Sequence, residues 1–317
     1  MDIPSLAIIV PLYNEEECID YTTNRLLEIL YELEKEKIIS DKSFIFYVND
    51  GSEDNSWSKI KKYHAENKKI KGISFARNFG NQKAILAGLK ESSKYSPDCY
   101  ITLDADLQQD ENKIKEFIEK YKQSSDIVLG IRNDRKTDNI FKKTTSLAFY
   151  KIMKLFKVNL EINHSEYRLI SSRVAKELFK YKEVNIFLRG IIQSMGFKKD
   201  IVYFDVKPRK QGKTKFTPFS LFTLAIEGIT SFSIAPLKFI TVVGFLMSLA
   251  SFIIGIYAII DRYTSSNYVS GWATIVALIG FLSGIQILCL GIVAQYIGQL
   301  FQEVKARPKY IVLEELD

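Results

Sequence analysis

Cysteine and histidine are scarce in this 317-residue chain. The three cysteines, Cys18, Cys99 and Cys289, are scattered and never form a Cys-x-x-Cys pair. This argues against a disulfide framework or a structural zinc site and suits a reducing compartment. The two histidines, His64 and His164, are too few for a histidine-rich metal site, and we expect His164 to lie at the surface.

The usual phosphate-binding loops are also missing. There is no Gly-x-Gly-x-x-Gly motif, and Gly212-Lys213-Thr214 has Lys207 where a P-loop needs its first glycine. Any diphosphate bound by this chain would therefore have to be neutralised by a cation and by arginines. No signal peptide is visible, because the first apolar run, Leu6 to Val10, is short and soon gives way to acidic residues.

The composition indicates a folded protein with a basic balance. Hydrophobic residues make up 47% and charged residues 26%, which predicts a packed core rather than disorder. Lysine and arginine number 44 against 37 acidic residues, a formal net charge of +7. Such a balance suits nucleic acid, a phosphorylated ligand or an anionic membrane surface. Because many cations flank apolar segments, we expect a phosphorylated ligand and a membrane, and no nucleic acid.

Short apolar runs alternate with amphipathic stretches up to about residue 206. The predicted strands are Leu6–Val10, Phe44–Val48, Ile70–Phe75, Cys99–Leu103 and Asp126–Ile131. The predicted helices include Ile19 to Leu33, Asn55–His64, Gln82–Lys90, Asn112–Gln123 and Ile140–Phe156. Strand alternating with helix predicts an α/β fold with a mainly parallel sheet covered on both faces.

Two long segments near the end of the chain, Phe239 to Ile260 and Trp272 to Ile297, contain no charged residue. Each is long enough to cross a bilayer, so we predict a two-helix membrane hairpin; two buried core helices are the alternative. The predicted divisions are a soluble domain (1–215), an interfacial amphipathic region (216–234), two spans (235–299, with helices at about 236–260 and 272–297) and a tail (300–317). Lysine and arginine flank the hairpin, whereas its loop carries one cation, which predicts that both termini are cytosolic. Glycines on one face of the second span predict a homo-oligomer.

Four polar loops follow the predicted strands. They are Pro11–Glu15, Val48–Ser52, Ala76–Gly80 and Asp104–Asp106. In an open α/β sheet these loops meet at the carboxyl ends of the strands, where ligands bind. Asp104 and Asp106, one residue apart on a turn, can both face one divalent cation that holds phosphate oxygens. Taken singly, each loop also suits ordinary turn and capping chemistry.

These motifs carry a resemblance that runs nearly end to end. The soluble region resembles the GT-A (Rossmann-like) fold of the inverting glycosyltransferases of family 2. The whole chain is similar to the polyprenyl-phosphate glycosyltransferases, the group of dolichol-phosphate mannose synthases and bactoprenol glucosyltransferases. The matching segments are Pro11 to Glu15, Val48 to Asp54, Ala76 to Gly88, Asp104 to Gln108, Gly130-Ile131-Arg132, Tyr167-Arg168-Leu169, Leu188-Arg189-Gly190, Arg209 to Phe216 and the two terminal spans.

The resemblance implies roles for individual residues. Catalytic roles fall to Asp106, Glu166 and Arg132, and a metal site for Mg²⁺ or Mn²⁺ to Asp104, Asp106 and Gln108. The donor nucleotide would contact Pro11, Tyr13, Asn14, Glu15, Asp50, Ser52, Asp104 and Ala105. The acceptor phosphate would contact Arg132, Arg168, Arg209 and Lys215. The family commonly has Gly-Asp before Tyr-Arg-Leu, whereas this chain has Ser165-Glu166. Glu166 is therefore either a base or the partner of a neighbouring cation such as Arg168.

The implied activity is inverting transfer of one sugar from a nucleotide sugar, with UDP-glucose favoured, to polyprenyl (undecaprenyl) phosphate. It would take place on the cytosolic leaflet of the bacterial plasma membrane and supply a lipid-linked sugar for cell-envelope glycan or protein modification. The alternatives are a processive membrane polysaccharide synthase and a non-catalytic nucleotide-sugar-binding membrane scaffold. The chain lacks the Gln-x-x-Arg-Trp motif of the synthases.

Overall fold

The computed structural model describes residues 3–133, 164–183, 187–207, 235–264 and 271–317. These residues belong to two compact units. The first contains the described residues up to 207 together with 307–317, and the second contains 235–264 and 271–306.

The described elements alternate between strand and helix over the first half of the chain. The strands are Leu6–Leu12 (β1), Phe44–Asn49 (β2), Ile70–Phe75 (β3), Cys99–Thr102 (β4), Ile127–Arg132 (β5), His164–Ser171 (β6), Lys199–Phe204 (β7) and Val312–Leu316 (β8). The helices are Glu16–Lys35 (α1), Ser56–Glu66 (α2), Asn81–Ser92 (α3), Ile114–Lys122 (α4), Ser172–Leu178 (α5), Leu188–Ser194 (α6), Ala235–Thr264 (α7) and Trp272–Lys305 (α8). The first five strands lie within two residues of their predicted bounds. The helix predicted at 140–156 lies outside the described residues.

All eight strands form one sheet in the order β7-β5-β6-β4-β1-β2-β3-β8. The central strands β4, β1, β2 and β3 are parallel, as the alternating pattern predicts. Strand β6 runs antiparallel between β4 and β5, and β8 runs antiparallel beside β3. The sheet is therefore mixed, with antiparallel strands that the pattern of short apolar runs did not indicate.

Strand β1 shows how the sheet is covered on both faces. Its seven residues are all buried, which is expected of a strand with helices on each side. The even-numbered side chains, among them Ile8 and Val10, belong to the main core, which also contains Leu26 of α1, Ile60 of α2 and Phe117 of α4. Helix α3 packs on β1 and β2.

The second unit contains the two long helices α7 and α8. Among the described residues, one segment, Phe281–Lys305, is long and apolar enough to cross a membrane, and its most apolar window has a mean hydropathy of 1.7. The predicted second span, 272–297, lies inside α8. Residues 300–317, predicted as a tail, contain the last turns of α8 and strand β8 of the sheet. The predicted interfacial region, 216–234, lies outside the described residues.

Candidate active site

The first two polar loops are hydrogen-bonded to one another at the carboxyl ends of β1 and β2. The backbone N–H of Asn14 donates to Ser52 Oγ at 2.9 Å, and the N–H of Glu53 donates to Asn14 Oδ1 at 2.9 Å. The N–H of Glu15 donates to Ser56 Oγ at 3.0 Å. Loops that follow neighbouring parallel strands thus meet, as the sequence predicts. Pro11, predicted as a loop residue, instead lies inside β1, whereas Tyr13 is half-buried beyond the end of that strand.

Asp50 supports the third loop, Ala76–Gly80. Its carboxylate accepts hydrogen bonds from the backbone N–H groups of Phe79 at 2.6 Å and Gly80 at 2.9 Å. Burial raises the pKa of the Asp50 carboxyl, while these two N–H groups and the charges of Lys83 and Arg77 oppose that shift. The predicted contact of Asp50 with the nucleoside stays a prediction, and the structure adds a loop-holding role that the sequence did not indicate.

The two predicted metal ligands lie in the turn after β4. Asp104 receives a hydrogen bond from the side chain of Gln109, whose Oε1 in turn accepts from the Asp104 N–H at 3.2 Å. Gln108, the predicted third ligand, donates its backbone N–H to Asp106 Oδ1 at 3.2 Å and accepts from the N–H of Lys207 through its carbonyl. The glutamine side chain that holds Asp104 is thus Gln109. Ala105 is buried, and its carbonyl accepts from Thr22 Oγ1 at 2.6 Å.

The electrostatics of this turn suit a cation. Burial raises the pKa of the Asp104 carboxyl and the charge of Asp106 raises it further, whereas Gln109, Arg132 and Arg189 act in the opposite direction. Repulsion between the two carboxylates is the kind that a shared divalent cation relieves. The described residues contain no cluster of three or more His, Cys, Asp or Glu side chains around a metal position. A hard cation held by two carboxylates, with phosphate and water completing its shell, fits this arrangement.

Glu166, in strand β6, is the centre of a buried polar cluster. Its carboxylate is paired with Arg168, and Oε1 accepts from Arg189 Nε at 2.5 Å and from Gln82 Nε2 at 2.9 Å. Gln82 also accepts from the N–H of Leu188 at 3.2 Å, so the cluster joins β6, α3 and α6. Of the two alternatives for Glu166, the ion pair with neighbouring cations is what the structure contains. Its role as a base stays a prediction.

Arg168 and His164 are both buried. Arg168 is 1% exposed and its guanidinium is paired with Glu166, while its predicted contact with the acceptor phosphate stays a prediction. Burial and the charge of Arg189 lower the pKa of Arg168 to about 9. His164, expected at the surface, is 5% exposed. Along β6, Tyr167 and Leu169 point into the main core. His164, Glu166 and Arg168 alternate with them and therefore face the opposite side of the sheet.

The remaining predicted residues are divided between the sheet and the part of the chain that is not described. Arg132 ends β5, and its charge acts on Asp104. Arg189, on α6, also acts on Asp104 and is about one-third exposed. Arg189 lies in a segment that matches the family, but the sequence analysis predicted no role for it. Its contact with Glu166 depends on the fold, which brings α6 close to β6. Arg209 and Lys215 lie outside the described residues.

Comparison with known protein families identifies the class of protein to which this chain belongs. Residues 7–179 match glycosyl transferase family 2, and the chain belongs to this family. Residues 235–300 match the GtrB C-terminal hairpin, so the second unit has the hairpin expected from the two apolar segments. The predicted GT-A-like fold and the predicted activity class, a polyprenyl-phosphate glycosyltransferase, are confirmed.

Relatives match over nearly the whole chain. The uncharacterized glycosyltransferase YkoT of Bacillus subtilis is 44% identical over 98% of this chain and 91% of its own length. The bactoprenol glucosyl transferase of Shigella phage SfII is 37% identical over 97% of each chain. Among solved structures, the mannosyltransferase PcManGT from Pyrobaculum calidifontis, in complex with GDP-Man and Mn²⁺, is 14% identical with a TM-score of 0.47, covering 96% of this chain and 88% of that one.

Proposed function

We propose that this protein transfers a single glucose from UDP-glucose to undecaprenyl phosphate, with inversion, on the cytosolic leaflet of a bacterial plasma membrane. The observation that carries the proposal is the pair Asp104 and Asp106 after β4, under the influence of Arg132 and Arg189. The near full-length similarity to proteins named bactoprenol glucosyl transferase supports glucose as the sugar and a polyprenyl phosphate as the acceptor.

Charge supports a diphosphate ligand at this position. Three arginines, Arg132, Arg168 and Arg189, interact electrostatically with Asp104. Asp104 and Asp106 would hold Mg²⁺ or Mn²⁺, which would supply positive charge to stabilise the leaving nucleoside diphosphate. Arg132 and Arg189 act beside it as permanent cations in a partly buried site, where charge stabilisation is stronger than in water.

The acceptor reduces the need for a general base. A phosphate monoester has a second pKa near ~6, so at neutral pH its oxygen is already a charged nucleophile. Catalysis then requires that this oxygen be aligned with the anomeric carbon opposite the leaving diphosphate. In this proposal Glu166 orients Arg189 rather than removing a proton. Arg132, Arg209 and Lys215 bind the acceptor phosphate, since arginine forks match phosphate oxygens.

The proposal includes a membrane arrangement and self-association. Both helices α7 and α8 cross the bilayer, with the sheet domain and both termini on the cytosolic side, as the flanking lysines and arginines indicate. In α8 a Cβ atom at Gly284, Gly291 or Gly298 would meet nothing within 4 Å. This small-residue face supports association of copies through α8.

Transfer by the purified full-length chain in detergent tests the function. Wild-type protein with UDP-glucose, a divalent cation and undecaprenyl phosphate is expected to form a lipid carrying one glucose. Asp106→Asn should reduce the rate by about 10²-fold or more, because a metal-binding carboxylate is lost. Glu119→Gln, the same change at an exposed acid on α4, should have no effect.

The same assay separates the alternatives. Products carrying several sugars would indicate a processive synthase. Binding of UDP-glucose with no transfer from any nucleotide sugar to any lipid phosphate would indicate a scaffold. A near wild-type rate for Asp106→Asn without added metal would contradict the role given to the carboxylate pair.

A further inference from the structure

Strand β8 lies beside the third loop. The last residues of the chain pair antiparallel with β3, with Phe75 opposite Val312 at an irregularity in the register. One residue further on, the N–H of Ala76, the first residue of the third loop, donates to the carbonyl of Ile311 at 3.1 Å. The end of the chain thus supplies a backbone hydrogen bond to the beginning of this loop.

Side chains attach β8 firmly to the sheet domain. Trp57 Nε1 donates to Glu314 Oε2 at 2.6 Å, and Lys61 Nζ lies 3.1 Å from the same carboxylate. Lys94 pairs with Glu315 and Asp317. Exposed ion pairs contribute little individually, but contacts with both α2 and the 93–95 segment, added to the pairing with β3, favour a single position for the strand.

Aromatic rings connect Tyr310, two residues before β8, to Phe79 of the third loop by way of Phe75. The ring of Tyr310 stacks on Phe75, with centroids 5.2 Å apart and planes 16° apart. Phe79 meets Phe75 edge-on at 5.6 Å, and Arg77 lies over the Phe79 ring at 4.1 Å. Tyr310 is fixed by its hydroxyl, which donates to Glu91 Oε1 at 2.6 Å. Such aromatic pairs are worth about 0.5–1.5 kcal/mol beyond the area they bury.

The opposite side of the third loop is held by the second loop. The Asp50 carboxylate accepts the N–H groups of Phe79 and Gly80. A Cβ atom at Gly51 would lie 2.3 Å from the carbonyl carbon of Arg77, so the two backbones are in direct contact there. Phe79 is therefore held by two contacts. Its ring packs on Phe75, which stacks on Tyr310, and its backbone N–H donates to Asp50.

We propose that Tyr310 is a positioning residue for the nucleotide-sugar site: through Phe75 and Phe79 it holds the third loop against Asp50. The inference rests on the proposed function and takes the third loop to act on the donor through Asp50, the predicted donor residue that its backbone N–H groups contact. It predicts a selective effect, because the ring stack lies at the β3–β8 edge of the sheet, whereas the proposed acceptor residue Arg132 ends β5, with four strands between β5 and β3. Loss of the stack weakens donor binding and leaves the lipid acceptor unaffected.

The test compares Tyr310→Ala with Tyr310→Phe in the full-length chain. Tyr310→Ala is expected to raise the KM for UDP-glucose about tenfold, because the third loop is then no longer held in position against Asp50. The KM for undecaprenyl phosphate should change by less than about twofold. Hydrogen exchange at the Phe79 and Gly80 amides should accelerate. Tyr310→Phe keeps the stack but loses the hydrogen bond to Glu91, and both properties should lie closer to wild type than those of Tyr310→Ala. Glu315→Gln, which weakens an ion pair of β8 away from the rings, should leave both unchanged.

Equal changes in both KM values, or unchanged exchange at the two amides, would overturn the inference. Faster exchange with an unchanged donor KM would overturn it as well. If Tyr310→Ala does not fold, Tyr310→Leu, which keeps apolar volume without the planar stack, replaces it. If the wild-type chain transfers no sugar, the proposed function has failed separately. Binding of UDP and of GDP, compared between wild type and Tyr310→Ala, then takes the place of the donor KM.

Discussion

At the scale of single residues, the site depends on charges that are buried and mutually paired. Glu166 is 6% exposed and paired with two arginines, of which Arg168 is itself 1% exposed. Among the described residues, Arg168 Nη1 and His164 Nε2 are buried without a hydrogen-bond partner. Such groups cost free energy in the folded state. For Arg168, attraction to the charge of Asp104 offsets part of this cost.

The buried position of His164 predicts a pH-dependent stability. Burial, with the charges of Arg168 and Arg189, lowers the pKa of His164 well below 6.5. As the pH falls below 6.5, His164 binds a proton in the unfolded chain but not in the folded chain. The stability present above pH 6.5 is therefore progressively lost below it. We expect the free energy of unfolding of wild type to fall by up to about 1.4 kcal/mol per pH unit more steeply than that of His164→Asn. Denaturant unfolding in detergent between pH 5 and 7.5 measures this, and parallel curves would contradict it.

At the scale of elements, the sequence predicted the strands that a short, local apolar pattern specifies. Strands β1 to β5 are apolar runs, and their order along the chain brings the Asp104 and Asp50 loops to one edge. Strand β6 was missed because its apolar residues alternate with buried charged ones. Strand β8 was missed because it pairs with residues about 240 positions earlier, which no local pattern reports. For the same reason the contacts of Gln82 and Arg189 with Glu166 could not be predicted, and His164 was wrongly expected at the surface.

The contact between the second and third loops leads to a prediction at this scale. Gly51 and Gly196 both have positive φ, +67° and +73°, so alanine is strained at either position. A Cβ atom at Gly196 would meet nothing within 4 Å, whereas one at Gly51 would lie 2.3 Å from the Arg77 backbone. Gly196→Ala should cost about 1–2 kcal/mol of stability, and Gly51→Ala should cost about 2 kcal/mol more, with weaker donor binding.

Thermal and denaturant unfolding of the two variants, together with the donor KM, measure the difference. Because both glycines have a similar positive φ, the comparison isolates the steric contact. Equal losses of stability, with donor binding retained in Gly51→Ala, would mean that the loops separate at little cost and that their contact has no part in the site.

At the scale of the whole molecule, the two structural units differ in composition: the first contains the charged residues of the site, and the second is mainly apolar. The sheet domain carries the acidic and basic residues of the site, and Phe281–Lys305 presents exposed apolar side chains such as Ile287, Leu288 and Leu290. In water such a surface would be an aggregation liability, whereas in a bilayer it is the expected lipid-facing surface. The chain returns from α8 to the sheet through 306–311, so the end of the chain belongs to the first unit.

This organisation predicts the orientation in the membrane. Lysines and arginines precede α7 and follow α8, while residues 261–271, from the last turn of α7 to the start of α8, contain one cation, Arg262. Because cytoplasmic loops retain positive charge, we expect Asn267, between the helices and outside the described residues, to face away from the cytosol, and Lys62, exposed on α2, to face it. A Cys289→Ser background is suitable, since Cys18 and Cys99 are buried. In intact cells a membrane-impermeant maleimide should label Asn267→Cys, and it should label Lys62→Cys only after the cells are permeabilised. Labelling of Lys62→Cys in intact cells would place the sheet domain outside, away from any cytosolic nucleotide sugar, and would contradict both the orientation and the proposed source of the donor.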